Sequence, residues 1–173
     1  MKKVTTFAAM FAIILASCTQ QANNQNEQTT QESLRPAETV VAAEEITSVL
    51  SGYMAIKDAL VATDAQKASK SANALLALLT EENEMMGKLK ESVQKIAVSE
   101  DTDQQRAAFE LLSEDVYTYV KENDLERGTL YRQYCPMAFK NKGAYWLSTS
   151  NQVRNPYFGD RMLKCGSVRE TLE

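Results

Sequence analysis

The feature that most constrains the fold is an apolar seam through the middle of the chain. Ala68, Ala72, Leu75, Leu79, Glu82, Met86, Leu89, Val93 and Ile96 fall at alternating steps of four and three, a heptad repeat interrupted once, by Glu82. A stripe of this kind is buried against other helices or not at all. It predicts a helix from about Asp64 to Ile96, about 50 Å long at ~1.5 Å per residue, with a bend expected near Gly87. Glu82 reads as a satisfied or snorkelling exception in the seam rather than an active-site acid. Thr63-Asp64-Ala65-Gln66 reads as a capping box that opens this helix, the Thr63 hydroxyl taking the Gln66 amide. Ahead of it, Val41, Ile46, Val49, Leu50, Tyr53, Met54, Leu60 and Val61 predict a helix over Glu38 to Ala62, weakened by about 1 kcal/mol at Gly52.

Beyond the seam, Ser99-Glu100-Asp101 is a turn and Thr102-Asp103-Gln104-Gln105 a second capping box. Phe109, Leu112, Val116, Tyr119 and Val120 form the buried face of a third helix, which fades at Lys121-Glu122-Asn123-Asp124. The expected fold class is therefore mainly α, an antiparallel bundle of three long helices. After Gly128 the pattern changes. Leu130 to Tyr134 alternates and is aromatic, a strand that ends at Pro136; Asn141-Lys142-Gly143 is a turn, and Ala144 to Ser148 is the return strand. Tyr157 to Leu163 is expected to make a short helical turn, and Ser167 to Glu173 a last short helix with Ser167 and Glu170 as its capping box. The C-terminal third is thus an irregular, hairpin-containing cap on the bundle.

The N-terminus reads as an export signal. Lys2 and Lys3 precede an apolar run from Val4 to Ala16, too short to span a bilayer as a mature helix. The run ends in Leu15-Ala16-Ser17-Cys18, which resembles the lipobox of bacterial lipoproteins; an ordinary signal peptide with a chance cysteine is the alternative. The expected organisation is a lipoprotein signal peptide over residues 1–17, a lipid-anchored disordered tether over 18–36, and one folded domain over 37–173. Residues 19–36 are Asn/Gln/Thr-rich, with too little apolar surface to offset chain entropy, and hold the domain about 20–25 Å from the lipid. Cys18 is the lipidation site, and membrane lipid is the first expected partner. The expected location is the periplasmic face of a membrane.

Composition removes several classes of function. The chain has no histidine, which excludes Ser-His-Asp and Cys-His catalysis and imidazole-based zinc hydrolases. No carboxylate pair or activated nucleophile stands out, so the expectation is that the protein is not an enzyme. Without the two leader lysines, the 19 Lys and Arg against 23 Asp and Glu become 17 against 23, a net charge of about −6 by side-chain counting. No run of basic residues exceeds two, which argues against a nucleic-acid partner.

What remains for chemistry is sulfur. With Cys18 assigned to lipid, Cys135 and Cys165 are the cysteines left, each with a methionine close by in sequence, Met137 and Met162. Cys135 and Met137 are two apart, on one side of an extended backbone. Met162 and Cys165 are three apart, on one face of a helical turn. Two thiolates and two thioethers form a soft ligand set that favours Cu(I) or a similar thiophilic ion. The four ligands of a Cys/His zinc site are lacking. Tyr134, Trp146, Tyr157 and Phe158 are expected to shield the site, although such aromatics are as readily core. In an oxidising compartment an even pair of cysteines is equally a disulfide framework, so a structural Cys135–Cys165 bond stands as the alternative.

Several segments also resemble one bacterial family. They are Tyr53 to Asp64, Gln105 to Ser113, Tyr134-Cys135-Pro136-Met137-Ala138, Trp146-Leu147-Ser148 and Asn155 to Gly166. Together they look like a domain of unknown function found in exported lipoproteins and appended to periplasmic adaptor subunits of heavy-metal (copper-type) efflux systems of the resistance-nodulation-division class. The resemblance spans about residues 40–168. It implies a mostly helical periplasmic domain associated with export of copper or related metals, with efflux pump or adaptor components as partners. The Cys-Pro-Met segment is also similar to the Cys-Pro-Met-His-Pro of short heavy-metal-binding modules, with Ala138 here in the place of the histidine. The efflux-adaptor hairpin itself is missing. The expected function is capture or hand-over of a soft metal ion, Cu(I) first, in heavy-metal homeostasis or efflux. The alternative is a non-metal structural or protein-interaction lipoprotein with bonded cysteines.

Overall fold

The computed structural model describes residues 37–80, 83–123 and 128–173, with side chains from residue 47 onward. The signal peptide, the tether, Cys18 and Glu82 lie outside the described residues. Four helices come first: α1 (Ala37–Val61), α2 (Ala65–Leu76), α3 (Glu84–Val98) and α4 (Thr102–Asn123). They are followed by β1 (Leu130–Cys135), the short α5 (Ala138–Asn141), β2 (Ala144–Ser148), a 3-10 turn (Gly159–Arg161) and β3 (Ser167–Leu172). The fold is mainly helical, with a small antiparallel sheet at its C-terminal end.

The expected long helix from Asp64 to Ile96 is two helices. Its seam is correct: Ala68, Ala72, Leu75, Leu79, Met86, Leu89, Val93 and Ile96 are all buried. Its continuity is not. After Leu76 the chain tightens, the Leu78 N–H donating to the Leu75 C=O at 2.9 Å. Asn83 is extended (φ −133°, ψ 170°), and its side chain accepts the Met86 N–H at 2.9 Å, capping a new helix. A heptad count registers which residues are buried but not whether the axis reverses between them, and here α3 packs on both α2 and α4. Three long helices become four.

The caps are also displaced by one residue. Asp64, not Thr63, caps α2 by accepting the Lys67 N–H at 2.9 Å. Asp101, not Thr102, caps α4, its carboxylate taking the N–H groups of Asp103 and Gln104 at 2.7 and 3.1 Å. An ionised carboxylate is the stronger acceptor beside a helix N-terminus. Thr63 is released for another task and adopts a left-handed φ of 55°.

Gly52, the apparent weakness of the first helix, has a packing reason. A Cβ there would sit 2.7 Å from Leu75 Cδ1 and 3.0 Å from its Cβ, so the glycine sets how closely α1 and α2 approach.

The sheet order is β2-β1-β3, with both pairings antiparallel. The hairpin strands fall where the alternation places them. The expected C-terminal helix does not form: Ser167–Leu172 is β3, paired with β1 from Leu130↔Leu172 to Tyr134↔Ser167. A six-residue helix gains little from its few internal hydrogen bonds, whereas β1 offers a whole unpaired edge.

Two polar anchors hold the cap to the helices. The Tyr53 hydroxyl on α1 hydrogen-bonds Ser113 Oγ on α4 at 2.9 Å and accepts the Leu147 N–H of β2 at 2.9 Å. Arg106 on α4 is buried; its Nε donates to the Pro156 C=O at 2.9 Å and Nη2 to Thr63 Oγ1 at 3.2 Å and the Leu60 C=O at 3.4 Å. Its Nη1 meets Asp103 at 3.1 Å. Between these anchors run the rings of Tyr53, Phe109 and Tyr157, with centroids 5.1 and 5.9 Å apart, and Tyr157 in turn meets Trp146 and Phe139.

Candidate metal centre

Cys135 is the last residue of β1, the central strand, and is fully buried opposite Ala144. Cys165 lies in the short link before β3 and is partly exposed. Because Tyr134 pairs with Ser167, the two cysteines arrive side by side just past the end of the ladder. Their sulfurs are 3.0 Å apart and both are free thiols. That is below the ~3.5–4.0 Å at which non-bonded heavy atoms rest, and above the ~2.05 Å of a disulfide. The Cys165 thiol is pushed up to about 11, first by its hydrogen bond to the Cys135 sulfur and then by burial; the Met137 N–H facing its sulfur pulls the other way.

Asn155 holds this geometry. It is fully buried; its Nδ2 donates to the Cys165 C=O at 2.7 Å, and its Oδ1 accepts the Tyr157 N–H at 2.8 Å. Its own N–H donates to the Leu163 C=O at 2.8 Å. An Asn ahead of Pro signals a turn, but nothing in sequence marks this one as a buried hub. On the other side of Cys165, Gly166 has φ +142°. A Cβ there would lie 2.8 Å from the Tyr134 C=O and 2.9 Å from Trp146 Cη2, so only glycine fits.

The two methionines are placed differently from the expectation. The chain leaves extended geometry after Pro136: Met137 is αR (φ −89°, ψ −10°), and its side chain is about half exposed (48%). It therefore does not share one face of a strand with Cys135. Met162 ends the 3-10 turn with φ −150° and ψ 59°, and its C=O accepts the Cys165 N–H at 3.0 Å. Met162 and Cys165 are thus the two ends of a β-turn, not neighbours on a helix face. The structure brings the two thiols together and sets one methionine in the turn beside each.

Backbone strain is concentrated next to the pair. Phe139, Lys140 and Asn141 have φ of 50°, 58° and 69°, three successive left-handed residues. Each such residue other than Gly or Asn costs about 1–2 kcal/mol. The bend is held by the Gly143 N–H to the Ala138 C=O at 3.0 Å, and by Phe139 edge-on to Tyr157 at 5.4 Å. It returns the chain so that Gly143 lies under the Tyr134 ring, where a Cβ would be 1.9 Å from the hydroxyl.

Of the expected shielding residues, Trp146 and Tyr157 are buried and Tyr134 and Phe158 partly so. Tyr157 donates its hydroxyl to the Tyr145 C=O, and burial pushes its ionisation well above the usual phenol range. The Trp146 indole N–H is buried with no partner. Among the described residues no group of three or more His, Cys, Asp or Glu gathers, and no helix is long and apolar enough to cross a membrane.

No curated protein and no solved structure matches the chain. Residues 49–128, which run from within α1 to the approach to β1 and stop short of both cysteines, match a family of domains of unknown function, described as Protein of unknown function (DUF3347).

Proposed function

We propose that this protein is a membrane-tethered periplasmic lipoprotein that captures a soft metal ion, Cu(I) first, and hands it on in heavy-metal homeostasis or efflux. In this reading the helices form an antiparallel bundle that carries the cap, Cys18 bears the lipid, and efflux components are the receivers. Cys135 and Cys165 supply thiolates; Met137 and Met162 supply thioethers from the adjoining turns. The observation that supports it is the pair of free thiol sulfurs at 3.0 Å, held between a central strand and a buried asparagine. The pair fits a soft ion after a small opening. Two thiolates on one tetrahedral ion at ~2.3 Å bonds lie about 3.8 Å apart, so the sulfurs part by roughly 0.8 Å. Thioethers bind without releasing protons and exchange readily, and the exposed Met137 is the ligand placed to meet an acceptor first. Tyr134, Trp146, Tyr157 and Phe158 screen the Cys135 side of the site from water and oxidant, while Cys165 stays partly open.

The same 3.0 Å favours a second reading, a non-metal interaction lipoprotein stapled by a Cys135–Cys165 bond. One experiment separates the two. The reduced chain carrying Cys18→Ser is titrated with Cu(I) against a Cu(I) chelator, alongside Cys135→Ser and Met162→Leu. Stoichiometric binding weakened by both substitutions establishes the metal reading. No binding by the fully reduced protein removes it.

A further inference from the structure

The two sulfurs differ in one respect that bears on their chemistry. Cys135 is fully buried at the end of the central strand, paired with Ala144 of β2 and one residue past Tyr134, where the ladder to β3 ends. Cys165 is partly exposed and lies outside any strand. An external molecule can meet only one of them. The resting separation of 3.0 Å also lies between two end states: closing to a disulfide takes about 1 Å, and opening around a soft ion takes about 0.8 Å. The sheet register changes in neither case, because Tyr134↔Ser167 already fixes the strands. Both end states use the same sulfurs, so they exclude each other.

We propose that Cys135 and Cys165 are a reversible dithiol–disulfide pair with divided roles, Cys165 exchanging with an external disulfide and Cys135 closing the bond, and that closure withdraws the soft-ion site. The exchange itself stands on the geometry of the pair alone; its consequence for metal rests on the function proposed above. The Cys165 thiol loses its proton to solvent and attacks one sulfur of a small disulfide, RSSR. The first RS⁻ leaves and takes up a proton, giving a Cys165–S–S–R mixed disulfide. Cys135 then loses its proton and attacks the Cys165 sulfur, 3.0 Å away in the resting pair, and a second RSH leaves. The pair is oxidised by two electrons and RSSR is reduced to two RSH. A reducing dithiol runs the sequence backwards. The Met162–Cys165 turn and the Asn155 bond to the Cys165 carbonyl fix the backbone of the attacking residue, so the sulfur swings on its side chain while the main chain stays still.

The test uses the full chain with Cys18→Ser, reduced, desalted and exposed to glutathione disulfide, with intact mass read over time and circular dichroism confirming that each variant is folded. The unsubstituted pair is expected to lose about 2 Da and retain no glutathione. Cys135→Ser is expected to stop with one glutathione on Cys165, and Cys165→Ser to stay unmodified over the same interval. Equal glutathione uptake by the two variants overturns the division of roles, and a pair that never loses 2 Da overturns the switch. Cu(I) titration of the closed and reopened protein distinguishes this failure from failure of the metal reading. A protein that binds Cu(I) but does not close refutes only the switch. One that closes but binds no Cu(I) when reduced refutes only the metal. Uptake lost on closure and restored by dithiothreitol supports both together.

Discussion

Replacing Gly166 by alanine tests whether the sulfur pair is set by backbone packing rather than by the thiols themselves. The residue has φ +142°, a region nearly closed to side chains, which costs about 1–3 kcal/mol for any other residue. The new Cβ would also sit 2.8 Å from the Tyr134 carbonyl oxygen and 2.9 Å from Trp146 Cη2. Neither neighbour can yield easily, one being the backbone of the central strand and the other a fully buried ring; overpacking of this kind costs a further 1–3 kcal/mol, roughly. The expected destabilisation is therefore about 2–6 kcal/mol, measured by urea unfolding with the slope unchanged. Gly87→Ala is the internal control. That glycine is exposed in α3 with nothing within 4 Å of a built Cβ, so alanine there should stabilise by about 0.5–1 kcal/mol. A Gly166→Ala protein within ~0.5 kcal/mol of the parent, at a constant slope, would refute the packing argument. A Gly87→Ala protein that destabilises would show that the difference in sign does not come from local space. The strain falls on the residue next to Cys165, so the variant should also close its disulfide more slowly in the mass assay.

Arg106→Met removes the bonds to the carbonyls of Pro156 and Leu60; Leu60 keeps the Thr63 N–H at 3.1 Å but Pro156 loses its side-chain donor, and the change should cost about 2–4 kcal/mol by urea unfolding. Tyr53→Phe leaves the Leu147 N–H without its acceptor in the core, and the expected loss is about 1–3 kcal/mol, with fluorescence of the neighbouring Trp146 reporting any shift of β2. Because the Cys165 thiol is raised to about 11, its ion-bound form must displace a proton throughout the neutral range. Apparent Cu(I) affinity should then rise about tenfold per pH unit for each proton released, read by chelator competition between pH 7 and 9, and a flat profile would contradict it. The same shift fixes a sign for stability. A thiol whose folded value lies above the ordinary 9.0 contributes fully below that pH and is lost as pH rises through about 11, so unfolding free energy should fall across this window, and less steeply in Cys165→Ser.

Periodicity carried most of the helical half. The eight apolar seam positions that the structure describes are all buried, because burial is what a 3.6-residue repeat encodes. The break after Leu76 was illegible because its signal is a single Asn at position 83, and asparagine is common in loops of every kind. The cap assignments failed by one residue where a carboxylate adjoined a threonine, at Thr63-Asp64 and Asp101-Thr102. In both, charge decided which oxygen served the helix end. The hairpin was readable from alternation and turn residues, but β3 was not: Ser167 and Glu170 satisfy a capping pattern, and only the vacant edge of β1 converts them to a strand. For the site, spacing nominated both cysteines but could not show that their sulfurs meet. That depends on the Tyr134↔Ser167 register and on Asn155, both long-range facts. The methionine placements failed because the backbone leaves regular geometry at Met137 and again at Met162.

The span of the anchoring bonds sets an order in time. The Tyr53 hydroxyl meets a backbone amide 94 residues away, and Arg106 a carbonyl 50 residues away. The helices, by contrast, are built from bonds a few residues long and pack against sequence neighbours, so they can form early in folding. The cap needs its distant partners in place before its own contacts are rewarded, so β3 is expected to dock on β1 after the helices have formed. Until it docks, the Tyr134↔Ser167 pairing that brings Cys165 to Cys135 is not in place. The sulfur pair is therefore expected to form late, and the loss of Cys135 reactivity toward a thiol reagent is the expected marker of that step. Pulse-labelling Cys135 during refolding would time that step directly.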